Sequence, residues 1–256
     1  MERFLRESTA IVEVELAKLF RDPTEIISRA VQPVLWLVVF GQVLAQVRGI
    51  HTGPLSYLAF ITPGILAQSV LFSSIFYGIA VIWERDLGVV HKLLVSPAWR
   101  VSLVFGKAVA AGFRGILQAV VIYLIALVMH VSLQLDPLAI FAVLASVMLG
   151  SGIFATFSLI IACIVKTRER FMGIGQLLTM PMFFASNAIY PLDIMPVWLR
   201  AIARINPLTY LIDALRGLMI TGGESVHGYT ADFTAMFAVY AVLLLVAVRL
   251  YPTLAE

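Results

Sequence analysis

Charge is scarce in this sequence. Asp, Glu, Lys and Arg make up 13% of it, about half their share in a soluble globular domain. Hydrophobic residues reach 61% and the mean hydropathy is +0.98, which excludes a water-soluble domain and implies a polytopic membrane protein. Cysteine is reduced to Cys163, so an intrachain disulfide and a cysteine-built metal site are both excluded. Cys163 lies in an apolar run and reads as a small packing residue. A phosphate-binding loop is also missing: the Gly106-Lys107 pair has Val101 where the first glycine would stand. His51, His91, His130 and His227 are far apart at segment ends, without metal-ligand spacing, and no metal site is expected. No apolar segment carries the paired acids or Ser–Lys or Ser–His set of an intramembrane enzyme. None offers the acidic ring or carbonyl-rich filter of an ion channel.

The formal charge is +3, but the basic residues are scattered rather than gathered in a stripe. That distribution fits the loops of a membrane protein, not a nucleic-acid interface. Residues 1–25 mix both signs of charge and lack a continuous apolar core, so no cleavable signal peptide is expected there.

Long apolar runs fill the rest. A crossing needs about 20 mostly apolar residues, and six segments qualify: 26–47, 57–82, 104–131, 137–165, 170–188 and 231–251. They are too long and too uniformly apolar for the alternating strands of a barrel. The predicted fold is therefore all-α, with six transmembrane helices. Placing the N-terminus in the cytoplasm puts 14 of the 18 basic residues on the inner side and leaves Arg48, Arg200, Arg204 and Arg216 outside. Both termini are accordingly expected inside.

Three elements outside these spans stand apart. Residues 1–24 interleave Ile11, Val14, Leu19 and Phe20 with Glu13, Glu15 and Lys18. That pattern fits an amphipathic helix along the cytoplasmic surface, or a solvated leader. Residues 187–223 are broken by Pro191, Pro196 and Pro207, too often for one crossing helix. Two short half-apolar helices there fit a re-entrant hairpin entering from the outer side, or an outer cap.

The third element, "ERDLGVVHKLLVSPAWR" at 84–100, sets five formal charges and a histidine between two apolar spans. Leu87, Val90 and Leu94 recur at i, i+3 and i+7, and Glu84 and Asp86 precede Lys92 as a helix dipole favours. Ser96-Pro97 would end the helix. Such a helix can lie on the membrane as a connector or dock into a groove on a soluble partner.

"WERDLGVVHKLLVSPAWRVSLVFGKAVAAGFRGILQ" (83–118) resembles the second-loop segment of ABC-2-type permeases, the membrane subunits of type V ABC exporters, and is close to their drug-resistance and Nod-factor-export branch. "YPLDIMPVWLRAIARINPLTYLIDALRG" (190–217) is similar to the family's extracellular segment with its NPLTY-x-x-D-x-x-R ending. The matches fall in the expected order, and the six-span layout covers nearly the whole chain.

The resemblance implies one ABC-2 transmembrane domain over 1–256, serving as a permease that homodimerises or pairs with a close relative. It implies two copies of a nucleotide-binding ATPase subunit on the cytoplasmic side, with ATP and Mg on that partner and none on this chain. The multi-pass location would be the plasma (inner) membrane. On this reading 1–24 is the connecting helix, 84–100 the coupling helix, and 187–223 the re-entrant segment. The expected cargo is an amphiphilic drug, lipid or lipid-like molecule; a polysaccharide or lipid-linked glycan is the alternative.

The resemblance sets the candidate residues. For ATPase coupling they are Glu84, Arg85, Gly88, Leu93, Leu94, Ser96, Pro97 and Arg100, with simple helix capping the other reading of Glu84 and Arg85. Lys107 and Arg114 are candidates for the membrane interface or the pathway; a snorkelling arginine is the plainer reading of Arg114. Phe183 and Phe184 could line an amphiphile path or simply pack. In the re-entrant segment the candidates are Tyr190, Pro191, Pro196, Asn206, Pro207, Tyr210, Asp213 and Arg216. Asp213 and Arg216 are at pairing distance in sequence, i and i+3. Gly173 and Gly175 are read as points of close helix approach.

Overall fold

The computed structural model describes residues 2–21, 31–46, 54–165 and 167–255, with Phe20 and Ala255 by main chain only. Residues 22–24 of the N-terminal element, the start of the 26–47 span, Arg29, Arg48, His51 and Lys166 lie outside the described residues. Every regular element is helical: α1 Glu2–Arg21, α2 Val31–Ala45, α3 Tyr57–Asp86, α4 Val89–Val95, α5 Arg100–Val128, α6 Pro137–Val165, α7 Arg168–Phe184, α8 Val197–Ile205, α9 Pro207–Met219 and α10 Tyr229–Leu250. Among the described residues the sole β pairing is an isolated bridge, Leu133 with Ile220.

Among the described residues, four helices are long and apolar enough to cross a membrane: α3, α5, α6 and α10 with the turn that extends it to Leu254. They match the expected spans 57–82, 104–131, 137–165 and 231–251. The other two expected spans differ. The described part of the first is the 15-residue α2, whose middle, Trp36–Phe40, widens into a π-helical turn. The fifth was expected over 170–188, but α7 stops at Phe184 after 17 residues, about 25 Å of helix. Its last carbonyls turn to side-chain partners instead of continuing the helix. Ser186 donates to Phe183 O, and Asn206 Nδ2 donates to Met182 O at 2.6 Å and Ala185 O at 3.0 Å. Unsatisfied terminal carbonyls need such donors.

α6 is the hub, packed against α3, α5, α9 and α10. α3 is the most enclosed span, with 78% of its apolar window buried, whereas α10 has 11% and lies at the periphery. Close approach depends on missing side chains at several glycines, Gly64 and Gly150 among them. A Cβ on Gly64 would lie 2.6 Å from Ala188 O, and one on Gly150 would lie 2.6 Å from Leu211 Cδ2. Gly173 and Gly175 do not play that part: the first faces open space and the second makes ordinary contacts.

The helices define two ends. One gathers the start of α5 and the finish of α3, together with α1, α4 and the chain terminus. The other gathers α8, α9 and the loops flanking them. At the first end Tyr77, Val81, Val90, Leu103, Cys163, Tyr251 and Leu254 form a separate apolar cluster.

Candidate functional site

The stretch 84–100 is not one helix. Glu84, Arg85 and Asp86 finish α3, so the two acids sit at the carbonyl end rather than starting a new helix. Leu87 closes α3, and Gly88 takes φ +71°, a left-handed turn that glycine adopts without steric cost. The seven-residue α4 follows and ends at Ser96, whose backbone is extended ahead of Pro97, as the proline requires. Ser96 Oγ donates to Leu93 O at 2.6 Å.

One residue anchors α4: Val90 is fully buried in the apolar cluster beneath it, with Leu93 and Leu94 partly buried against the same cluster. Leu87, expected to share that stripe, points out and is 71% exposed. So do Val95 at 87% and Trp99 at 52%, while Arg100 is also exposed. The turn, the short helix and the segment after it thus leave Leu87, Val95 and Trp99 exposed, while the helix is fixed from below by Val90.

α1 holds this element on both sides. Its buried stripe includes Ser8, Glu15 and Leu19, with Phe4 and Ile11 packed along α5 at Phe105 and Gly106. Val14, expected on the apolar face, is exposed. Near the start of α1, Glu7 accepts the Trp99 backbone N–H at 2.9 Å and Arg3 donates to Pro97 O. Near its end, Lys18 bonds Glu84 at 2.7 Å. Between them lies a buried charge network. Lys107 Nζ is 2.6 Å from Glu84 and 3.5 Å from Glu15, Lys18 is 3.0 Å from Glu15, and Arg114 is 3.4 Å from Glu15. Arg114 also lies over the Tyr77 ring, 4.9 Å from its centre.

Burial alone would raise the Glu15 carboxyl, but the facing Lys107 and Lys18 ammoniums and the Arg114 guanidinium outweigh it and hold the group at about 2. Glu84 therefore points inward, not to a surface where a partner could reach it. Arg114 is committed to the interior network rather than snorkelling. Arg85 pairs with Asp86 at 2.7 Å, and Asp86 with Arg168 at 2.6 Å, tying α3 to the start of α7. Arg168 in turn covers the Trp83 ring at 3.4 Å.

The other end is built around the proline-broken segment. Pro191 and Pro196 bracket a single turn, Leu192–Ile194, and Pro196 leads into α8. Arg200 gathers the carbonyls of Leu192, Asp193 and Met195. Asn206 caps α9 by accepting from Leu208 N–H, with Pro207 at the first helical position. Tyr190 and Tyr210 donate to the carbonyls of Phe184 and Arg204. Thus the NPLTY run is a cap and a clasp between α7, α8 and α9. α9 is buried along most of its length, whereas α8 exposes Val197, Trp198, Ile202 and Ile205.

Asp213 and Arg216 do not pair with each other. Asp213 accepts from the His227 backbone and lies 2.9 Å from its Nδ1. Arg216 donates to Asn187 O at 2.7 Å and stacks on Phe60 at 4.0 Å. His227, set aside as a ligand on its spacing, is thereby brought beside two acids, Asp213 and Asp232. Phe183 is fully buried against Trp36 and packs, while Phe184 is partly exposed.

Sequence reading passed over a cleft between α2 and α3. It is a cavity of about 220 Å³ lined by Gln32, Pro33, Gln68, Ser69, Phe72 and Phe76, among others. Gln68 Oε1 is buried without a hydrogen-bond partner among the described residues. The available signal was polar residues recurring on one face of an apolar helix, at 68, 69 and 73.

Comparison with known proteins adds a family. Residues 6–220 match the ABC-2 type transporter family. The chain is 32% identical over 217 residues to the ycf38 transport permease of Cyanophora paradoxa, covering 84% of this chain and 74% of that protein. It is 22% identical to the daunorubicin resistance ABC transporter permease of Streptomyces coeruleorubidus, over 77% of this chain and 69% of the relative. With nodulation protein J of Rhizobium leguminosarum bv. trifolii the identity is 25%, over 74% and 71% of the two chains.

Proposed function

Since the chain belongs to the ABC-2 type transporter family, a family of membrane transport permeases, we propose that it is the permease subunit of an exporter driven by ATP hydrolysis on a separate subunit. ATP and Mg belong to that partner; two copies of it serve two copies of this chain. The single observation that carries this reading is the element between α3 and α5: a glycine turn and short helix, anchored by Val90, exposing Leu87, Val95 and Trp99. A spaced apolar patch at the end of a charged element is what a groove on a soluble partner binds.

Motion imposed on that patch has a rigid path inward. α3 and α5 flank it directly, and α1 ties it to both through Glu7, Lys18 and the Glu15–Lys107–Glu84 network. The patch faces the cytoplasm, as do both termini, in a plasma membrane crossed six times with α2 and α7 completing the bundle. α8 lies with its apolar face in the outer leaflet, and α9 inserts beside it as a re-entrant helix. The cargo is an amphiphile such as a drug or lipid. The cleft between α2 and α3 supports that class, because it offers aromatic walls beside the Gln32 and Gln68 amides. The drug-resistance and nodulation relatives support it too.

The test is ATP hydrolysis by the chain reconstituted in lipid with its cognate ATPase. A Leu87→Asp/Val95→Asp variant is expected to lose ATPase binding and drug- or lipid-stimulated turnover, while a Glu84→Gln variant alters stability first. Unchanged binding and turnover in the patch variant would refute the docking assignment.

A further inference from the structure

The outer end carries a polar cluster that neither packing nor the transport reading uses. Asp213 of α9 and Asp232 in the first turn of α10 are both fully buried. Ser225 stands between them, its hydroxyl 2.7 Å from Asp232 Oδ2 and 3.3 Å from Asp213 Oδ2. A hydroxyl has one proton and can donate to only one of the two at a time. His227 adds its Nδ1 at 2.9 Å from Asp213 Oδ2 and remains a quarter exposed.

The donors do not balance the acceptors. The second oxygen of each acid, Asp213 Oδ1 and Asp232 Oδ1, is buried and has no partner among the described residues. Buried carboxylate oxygens without partners are costly, and two carboxylates converging on one hydroxyl repel each other. No lysine or arginine ion pair reaches either acid among the described residues. Arg216, the nearby cation, acts on Asp213 only through space, since its hydrogen bond goes to the Asn187 carbonyl and its guanidinium stacks on the Phe60 ring.

We propose that Asp213, His227 and Asp232, with the Ser225 hydroxyl beside them, bind a divalent transition-metal ion, with zinc the best match. One ligand atom from each of the three residues lies within 4.8 Å of the others, so some point is within about 2.8 Å of all three, against zinc bonds of roughly 2.0–2.2 Å to nitrogen and oxygen. Side-chain shifts of under about 1 Å would close that gap. One imidazole with two carboxylates suits zinc better than calcium or magnesium, which take oxygen ligands throughout. His227, a quarter exposed, gives the ion a way in. Once bound, it would clamp the 220–228 loop to α9 and to the start of α10, fixing the outer mouth of the bundle. This site does not depend on the proposed export function.

Purified full-length chain in lipid nanodiscs, stripped with a chelator and titrated with Zn²⁺, tests the assignment by metal content, isothermal titration and thermal midpoint. The expected result is about one zinc per chain, a raised midpoint, and an affinity at least ten-fold weaker in both His227→Ala and Asp232→Asn. A Glu224→Gln variant should bind as the wild type does. His227 is on a loop and partly exposed, so its variant decides the matter even if Asp232→Asn does not fold. Equal zinc uptake by wild type and His227→Ala, or no uptake by either, would overturn the site.

Discussion

Glu15 occupies the buried stripe of α1, where a carboxylate survives only because three cations surround it. Its folded value of about 2 lies below the ordinary 4.5, so the stability it contributes is fully present above pH 4.5 and is lost as the pH falls toward 2. A Glu15→Gln variant should therefore be less stable than wild type at pH 7 and at pH 5, with the difference shrinking below pH 4.5. Thermal unfolding across that range checks it. Lys107 is more exacting, because it bridges Glu15 and Glu84 from a buried position. Removing one member of a buried ion pair typically costs about 3–5 kcal/mol. Lys107→Ala should lower stability by that order, whereas truncating the exposed Arg3, paired with Glu7, should cost about 1 kcal/mol or less. These charges were visible in the sequence but not their meeting. Glu15 and Lys107 are 92 positions apart, and the polar interleaving of residues 11–20 reads equally as a solvated face.

At the scale of elements, the apolar lengths marked α3, α5, α6 and α10 correctly, since each greatly exceeds what a crossing requires. Helix ends were less legible. α7 ends at Phe184 rather than 188 because Asn206, 22 residues onward, supplies donors to Met182 and Ala185. The charged loop misled in a similar way: the run from Glu84 to Lys92 follows the polarity of one helix, yet Gly88 at φ +71° splits it. The acids stay with α3 because buried Lys107 and half-exposed Lys18 hold Glu84 there. Asn206 is the residue on which three elements converge. An Asn206→Ala variant removes the α9 cap and two carbonyl partners, and should destabilise the protein by about 2 kcal/mol or more. Denaturant unfolding in mild detergent measures the loss, and Asn206→Asp, which keeps the cap but not the amide donors, should recover only part of it.

For the whole molecule, the family, the all-helical class and the order of elements were legible from two long motif matches and the hydropathy pattern. What the motifs do physically was not. The second motif proves to be a set of caps and carbonyl clasps around Arg200, Asn206 and Arg216. The first proves to be a fixed turn with an outward apolar patch, held by α1 at both ends. α3, α5 and α6 run between these two ends, with one apolar core towards α9 and a second, separate one beneath α4.

On the proposed function, a partner ATPase drives the bundle through residues 87–99. A photo-crosslinking residue at Val95, compared with one at Ile205 on the opposite end, tests it most directly in membranes containing the cognate ATPase. A strong ATPase adduct from position 95 that changes with trapped nucleotide is expected, and none from position 205. An adduct absent at 95, or equal at both positions, would contradict it.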